Sequence, residues 1–529
     1  MNARLLNDTL INLVKRVDAG DFPEAFSGAT TLLKEIESIA NKELRDRFLF
    51  NISGLFIDIG GMAVNERSSE IGLKLIEENK DAFISISGEA EYYYNLSNAK
   101  SNLIKESDPL NHTFKSIEQL IEIKSLLWKS IKTHRKNSKP TPPQTLVNLA
   151  NILKRQFRLS ESLYFYDRVN QLNLDIPQAW INRSETLKIL NQVSGSFSLQ
   201  MMHEVKAGYE RAVLSQEIPP LWREQYQRYV EHLEKQIVDT YAEADVNVVD
   251  RETEAHETRK EFDSLSDFRK MVLTKHLSLS EHGLYCACSG SARDNLTIPT
   301  GSGVRGSFVP AMEMVLNRLK SEFSLARRFY YEYLHEKTDE ESTHESCYSE
   351  LFNSELLGVN IEKLRTAFRL CFGILDKIAA AICDLYEVSP PNGTIYFQGF
   401  WQLDQGGRRE MFEKIKTPGL LALYSLATDL NERKDGELAF FKQWRNDLEH
   451  KFVVIHEQDT PKDLYGSYKM NEEIIMISEV DFIDHLEQLL QVTRSAIFSF
   501  VFCVRKKGSQ EKDTDGIYMQ NIISRKDHF

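Results

Sequence analysis

The sequence predicts an all-α protein, in which an N-terminal α-solenoid precedes a C-terminal helical bundle with a few short strands. Two observations predict this class. Apolar residues recur at helical spacing over most of the 529 residues. In the first half, a pattern that begins with proline also repeats after 34 residues, at Pro143 and Pro177. A chain of this length exceeds what one hydrophobic core usually organises, so we expect more than one domain.

The composition sets limits on the function. The formal net charge of −13 argues against a surface built throughout for nucleic acid, although it allows a local basic groove. The N-terminus lacks the features of a secretory signal, and the longest apolar run, AIFSFVFCV (496–504), is too short to cross a bilayer. The six cysteines are scattered along the chain, which fits a reducing compartment. We therefore expect a cytoplasmic protein with no membrane partner.

The repeated pattern has the period of a helix–turn–helix unit. The stretches PQTLVNLANILKRQF and PQAWINRSETLKILNQ begin at Pro143 and Pro177. They resemble tetratricopeptide repeats, with Trp180 at a preferred aromatic position and Tyr166 at a packing position of the second helix. Ser184 stands where that family usually has glycine. Weaker hairpin patterns come earlier, and they begin at residues 19, 58 and 92.

The change in composition along the chain divides it into four segments. Residues 1–245 are predicted to form the tetratricopeptide-repeat-like α-solenoid. Residues 246–265 are highly charged, as is typical of a linker or an exposed helix. Residues 266–507, which contain more phenylalanine and longer apolar stripes, are predicted to form the helical domain. Residues 508–529 are a polar C-terminal tail.

Two short motifs could indicate a cofactor or metal, and neither does so strongly. GSGVRG (301–306) matches a dinucleotide-binding pattern, but no βαβ unit surrounds it, and a flexible loop is the better interpretation. LYCACSGS (284–291) lies beside His282 and offers two cysteines, but a structural zinc site would need a fourth ligand. No second cluster of cysteine and histidine supplies one, so we expect no cofactor and no metal.

Two long apolar-periodic stretches predict helices of the C-terminal bundle. Residues 365–388 carry a buried stripe at helical spacing, and Asp376 lies beside this stripe, where a carboxylate requires a nearby cation. Residues 417–433 begin with a Thr417 N-cap and with Pro418 in the first turn, and they are predicted to be amphipathic. Cys371 and Cys383 are interpreted as small core residues.

A third helix is predicted within FFKQWRNDLEHKF (440–452). Projected at 100° per residue, its core stripe consists of Phe441, Trp444, Leu448 and Phe452. Arg445 lies at the edge of this stripe, while Asn446 and His450 are neighbours on the opposite face.

The arginine and the histidine of this helix need different partners. A guanidinium at the edge of a core requires a carboxylate. Glu449 could supply it from the same helix, and Asp376 could supply it from the preceding long helix. His450 and Asn446 would contact either water or a second copy of the same helix.

The string QWRNDLEHKF resembles the R-x4-H signature of the HEPN superfamily, whose all-helical domains occur in toxins and anti-phage proteins. The resemblance implies a metal-independent endoribonuclease with a composite site across a homodimer or higher homo-oligomer. His450 would act as general acid or base, Arg445 would hold the phosphate, and Asn446 would orient one of them. Cleavage would leave a 2′,3′-cyclic phosphate. Phe452 stands where nucleotidyltransferase-silenced relatives have tyrosine, so AMP transfer is not expected there.

The resemblance also implies partners. The substrate would be RNA, either tRNA or mRNA, and a basic strip of Arg408, Arg409, Lys414, Lys416 and Lys451 could guide it to the site. Phe400 and Trp401 could stack a base. The repeat domain would sense or regulate, with a protein segment as its ligand. The alternative is a non-catalytic repeat scaffold whose HEPN-like domain serves dimerisation or binds nucleotide or RNA.

Overall fold

The structure is a computed structural model that describes most of the chain. It describes residues 3–104, 111–172, 174–195, 198–243, 251–298, 311–336, 355–390, 393, 395–457 and 474–510. The GSGVRG stretch (301–306), the start of the charged segment (246–250) and most of the polar tail (511–529) lie outside these residues.

The first half of the chain is helical, as expected from its apolar periodicity. Its helices are α1 Ala3–Asp18, α2 Phe22–Glu37, α3 Lys42–Met62, α4 Glu66–Glu78, α5 Lys80–Ser87, α6 Glu89–Asn102, α7 Phe114–Gln119, α8 Ile121–Lys136, α9 Pro143–Arg155, α10 Leu159–Asn170, α11 Pro177–Ser194, α12 Leu199–Leu214 and α13 Pro220–Glu243. The helices α9 and α11 both begin at the prolines of the 34-residue pattern, since proline suits the first turn of a helix.

The second half adds longer helices and two short strands. Its elements are α14 Arg251–Ser264, α15 Asp267–Thr274, a 3-10 turn at His282–Leu284, α16 Ala311–His335, α17 Val359–Leu385, α18 Arg408–Lys414, α19 Pro418–Asp429, a 3-10 turn at Glu432–Lys434, α20 Phe440–His450, β1 Phe452–His456, β2 Ile474–Ser478 and α21 Glu479–Gln510. The prediction of an all-α fold with a few short strands is confirmed. None of the helices described has the length and hydropathy needed to cross a membrane.

The chain divides into two compact units. The first comprises residues 1–156, 165–186 and 205–235. The second comprises residues 157–164, 187–204 and 236–529. The bounds of the four predicted segments and the tetratricopeptide assignment stay predictions.

In the first unit, helices pack against their neighbours in sequence. The packing runs from α1 to α2, α2 to α3 and α3 to α4, and it continues through α6 and α8 to α9. This consecutive pairing is the arrangement of an α-solenoid. Buried polar residues join some of the neighbouring helices, as where Lys124 Nζ donates to Gln156 Oε1 at 2.9 Å. Such a buried ammonium group is tolerated because an acceptor meets it.

The small residue at position 184 has a packing role in the same unit. Ser184 Oγ donates to the carbonyl of Val205 at 3.0 Å, which brings α11 close to α12. A Cβ atom added at Gly208 would lie 2.1 Å from Ser184 Oγ, so this approach requires a glycine there. The helix pair therefore depends on two small residues facing each other.

In the second unit, four helices surround one core. The helix α17 packs on α16 and α21, and α19 packs on α21. The predicted stripe of α17 is buried, including Cys371, and Cys383 is buried as well. Thr417 Oγ1 accepts a hydrogen bond from the Leu420 amide at 3.1 Å, which confirms the predicted N-cap of α19.

The helix α19 differs from its prediction in one respect. The sequence predicted an amphipathic helix, but every residue from Gly419 to Asp429 is buried. A Cβ atom added at Gly419 would lie 2.5 Å from the Ser499 carbonyl oxygen, which shows how closely α21 approaches. The helix is therefore enclosed on all sides, since its few polar side chains, such as Ser425 and Thr428, are small enough to be buried with it.

Candidate active site

The helix α20 is fixed to the second unit by aromatic side chains on one face. The ring of Trp444 stacks on Phe482 with 5.8 Å between centroids and 5° between planes. Phe441 is fully buried and meets Phe368 edge-on, with 5.6 Å between centroids. These contacts confirm that Phe441 and Trp444 belong to the core face, and they orient the opposite face away from the core.

The predicted core stripe fails at its last member. The helix ends at His450, Lys451 adopts extended dihedral angles (φ −133°, ψ 176°), and Phe452 is the first residue of β1. Phe452 is 61% exposed. The projection was wrong here because it continued helical spacing past the point where the chain changes to strand spacing.

The three predicted catalytic side chains are at least partly accessible. Arg445 and Asn446 are half-buried, and His450 is exposed. Arg445 Nη1 donates to Asn446 Oδ1 at 3.1 Å. Within the described part of the chain, the His450 ring makes no hydrogen bond, and no carboxylate lies within ion-pair distance of Arg445. The structure therefore joins Arg445 to Asn446 and leaves His450 open to solvent.

Two arginines of α17, one helical turn apart, hold the end of α20 and the start of β1. Arg369 Nη2 donates to the Leu448 carbonyl at 2.7 Å, and Arg365 Nη2 donates to the Val453 carbonyl at 2.7 Å. A cation at a helix C-terminus meets carbonyl groups that lack helical partners. His450 lies between these two anchored carbonyls, so its backbone position is fixed from both sides.

The sequence pattern does not single out Arg365 and Arg369 as residues that support the site. Their sequence signal is weak, since any helix with a buried stripe also carries charged residues on its other faces. The contact between Arg369 and Leu448 joins residues far apart in sequence, and local periodicity contains no information about it.

Asp447 is a second residue that the sequence did not single out. It is buried at 3% exposure, and its Oδ1 lies 3.5 Å from Lys451 Nζ. Its Oδ2 makes no hydrogen bond within the described residues. Lys451 therefore has a carboxylate partner inside the motif and is only partly available to RNA.

The two candidate supports of Arg445 are placed differently from each other. Glu449 pairs with Arg369 at 3.3 Å and not with Arg445. Asp376 accepts a hydrogen bond from the Phe397 amide at 3.0 Å. Burial raises the pKa of Asp376 above its usual value, against the smaller opposing effects of the Phe397 amide and of Arg445. Asp376 thus acts on Arg445 electrostatically, without an ion pair between them.

The structure argues against three of the residues predicted to bind RNA, Arg408, Phe400 and Trp401. Arg408 donates to three backbone carbonyls, including Trp401 at 2.6 Å and Ser389 at 3.0 Å, so its guanidinium group is committed to the fold. Phe400 and Trp401 are 1% and 2% exposed, so neither can stack a base. The sequence suggested these roles from residue type alone, which does not distinguish a core aromatic from a surface one.

The remaining residues of the strip lie nearer the surface. Arg409 Nη2 is 3.8 Å from Asp404 Oδ1, and Lys416 Nζ is 3.5 Å from Glu413 Oε2. Lys414 is exposed. Their contact with RNA stays a prediction.

A separate group of residues could hold a metal ion. One ligand atom each from His282, Cys286 and Cys288 lies within 4.8 Å of the others. These residues are not part of α20.

A helical domain that presents an arginine, an asparagine and a histidine at the end of one helix is suited to acid–base chemistry on an anionic substrate. A comparison with protein families found that residues 304–507 match the LA2681-like HEPN family, and the matched segment includes α17, α20 and most of α21. The comparison with curated proteins found no match. The family match supports a nuclease or RNA-related role for this part of the chain.

Proposed function

We propose that this chain is a metal-independent endoribonuclease of the HEPN type. The observation that carries the proposal is the end of α20, where an open His450 follows an Arg445–Asn446 pair inside the matched segment. The anchored carbonyls on either side of His450 give it a fixed position, which a general acid or base requires.

Each proton in the cleavage has a source and a destination. His450 accepts the proton of an RNA 2′-hydroxyl, whose oxygen then attacks the adjacent phosphorus. The bond from phosphorus to the 5′-oxygen breaks, that oxygen takes a proton from water, and protonated His450 returns its proton to the solvent. The products are a 2′,3′-cyclic phosphate and a 5′-hydroxyl. Arg445 stabilises the negative charge that develops on the phosphoryl oxygens, and Asn446 orients the guanidinium group.

The site is proposed to form between two copies of the chain. Five helical steps separate Arg445 and His450, which places their side chains about 140° apart around the axis of α20. One helix therefore cannot easily direct both at the same phosphate, whereas a facing helix from a second copy can complete the pair. The exposed Phe452 beside His450 offers apolar surface for such a contact.

The biological role that fits this activity is anti-phage defence or toxicity, with tRNA or mRNA as substrate. The consecutive helix pairs of the first unit suit the capture of a protein segment, which would regulate cleavage.

The test compares RNA cleavage by the wild type, His450→Ala, Arg445→Ala and the control Gln443→Ala, whose exposed side chain lies on the same helix. We expect the cleavage rate of both site variants to fall by about 10²–10⁴-fold. The control should cleave RNA at the wild-type rate. Cleavage should continue in EDTA. Unchanged cleavage by folded His450→Ala protein would contradict the proposal.

A mixture of the two inactive variants tests the composite site. If Arg445 of one protomer works with His450 of the partner subunit, mixed dimers of Arg445→Ala and His450→Ala protein contain one complete pair and regain part of the activity. No recovery, despite the formation of mixed dimers, would place the site within one chain. If the wild type does not cleave RNA under any condition but forms a stable complex with a protein, the scaffold alternative is correct.

A further inference from the structure

A histidine and two cysteines converge in the irregular segment 275–298, between α15 and α16. One ligand atom from each of His282, Cys286 and Cys288 lies within 4.8 Å of the others, and all three residues are partly exposed. We infer that these three side chains bind a zinc ion whose fourth position is filled by water, as in open sites with three protein ligands, so the fourth protein ligand that a closed structural site would need is not required.

The backbone of the segment positions the three side chains. The 3-10 turn at His282–Leu284 is extended by a hydrogen bond from the Cys286 amide to the His282 carbonyl at 2.9 Å. The ligand atoms of His282 and Cys286 come together at this turn. The carbonyl of Cys288 accepts hydrogen bonds from the amide and hydroxyl of Ser291, at 3.1 and 2.6 Å. Both cysteines are therefore held by local turns.

The separations fit a tetrahedral ion after a small adjustment. Zinc–sulfur bonds of about 2.3 Å place two sulfur ligands about 3.8 Å apart. Atoms already within 4.8 Å reach this spacing by movements of about 1 Å, which side-chain rotation provides. Each thiol gives its proton to solvent when the ion binds.

The two thiols and the imidazole favour zinc over metal ions that prefer oxygen ligands. Thiolate and imidazole ligands suit zinc better than magnesium or calcium, which prefer oxygen. The carboxyl group of Glu204 acts electrostatically on Cys286, and its negative charge favours a cation nearby.

A bound zinc ion would stabilise the conformation of segment 275–298. It contains one short 3-10 turn and no other regular element, yet it buries Ser278, Ser280 and Ser291. It also supplies carbonyl groups to the long helix α21, where Arg494 Nε donates to Ser278 at 2.9 Å. An ion bound at its exposed end would hold the segment in this shape. No ligand belongs to α20, so the site is independent of the proposed ribonuclease activity.

Cobalt(II) provides the test, because thiolate ligands give it a charge-transfer band in the near ultraviolet and a tetrahedral site gives strong visible bands. The full chain, kept reduced, is titrated with cobalt and then with zinc. We expect saturation at one ion per chain and loss of the bands when zinc displaces cobalt.

Three variants and one matched control assign the ligands. Cys286→Ser and Cys288→Ser should each remove about half of the charge-transfer intensity, and His282→Ala should weaken binding at least about tenfold. Cys383→Ser replaces a buried cysteine of α17 and should leave the spectrum unchanged. Circular dichroism confirms that each variant is folded.

A measurement on the wild type alone keeps the test valid if a variant does not fold. X-ray absorption of the zinc-loaded protein should show two sulfur neighbours at about 2.3 Å and nitrogen or oxygen at about 2.0 Å. The inference is overturned if the reduced wild type gives no charge-transfer band, if Cys288→Ser retains the full band, or if mass spectrometry shows that Cys286 and Cys288 form a disulfide that resists reduction.

Discussion

Arg158 and Arg445, both in the second unit, have opposite surroundings. Arg158 is 2% exposed, and its guanidinium group is shared between Glu161, at 2.6 and 2.8 Å, and Asp429 at the end of α19. Arg445 is half-buried and donates only to the neutral side chain of Asn446 within the described residues. The difference indicates which of the two arginines could bind an anionic substrate. The charge of Arg158 is neutralised by carboxylates of the fold, whereas Arg445 has no carboxylate partner among the described residues and fits the phosphate-binding role proposed for it.

The largest expected effect on stability comes from Arg158→Ala. This change removes the guanidinium group that pairs with the buried carboxylates of Glu161 and Asp429, so we expect a loss of about 3–5 kcal/mol in the free energy of unfolding. Denaturant unfolding of the whole protein, followed by circular dichroism, measures it.

Arg445→Ala is compared in the same measurement. We expect its free energy of unfolding to lie within about 0.5 kcal/mol of the wild-type value. Equal losses in the two variants would mean that Arg445 is as structural as Arg158, and the comparison would fail.

A smaller effect is expected from Arg369→Ala, which removes the donor to the Leu448 carbonyl and the partner of Glu449. We expect a loss of about 1–2 kcal/mol in stability together with a reduced cleavage rate, because the end of α20 becomes less fixed. Arg369→Lys should recover part of both. Lys377→Ala, which removes an ion pair between the same helix and Glu322 of α16, is the control. A rate unchanged in Arg369→Ala would show that this anchor does not position His450.

The smallest effect concerns Asp376→Asn and depends on pH. Because burial raises the pKa of Asp376, the folded state binds the proton more tightly than the unfolded state. The resulting stability is present below the unfolded pKa and is lost as pH rises through the folded pKa. Asparagine stays neutral, so the variant should be more stable than the wild type at pH 7 by up to about 1 kcal/mol.

Unfolding curves at several pH values check this prediction. The gain from Asp376→Asn should shrink as the pH falls through the raised pKa of Asp376, because the wild-type carboxyl group then takes up its proton. A stability gain that grows as the pH falls would contradict a raised pKa of Asp376 in the folded state.

The sequence predicts what depends on local spacing. The buried stripe of α17, the Thr417 cap and the burial of Phe441 all follow from patterns within one helix, and the structure confirms them. The accessible positions of Asn446 and His450 follow from the same projection.

What the sequence does not predict depends on contacts between distant residues. The pattern gives no reason for Glu449 to pair with Arg369 instead of Arg445, since the choice depends on where α17 lies. Nor does it show that Arg408 is used by backbone carbonyls. The candidate site comes from the family resemblance. The structure adds which neighbouring residues contact the helix that carries it.

The junction between α20 and β1 makes the motif sensitive to insertions. Only Lys451 separates the helix from a strand that pairs in register with β2, from Phe452 opposite Ile474 to His456 opposite Ser478. An extra residue between Asn446 and His450 would turn the histidine by 100° about the helix axis, and no loop follows that could absorb the change. The number of residues from arginine to histidine is therefore set by the architecture on both sides, independently of the chemistry proposed for the pair.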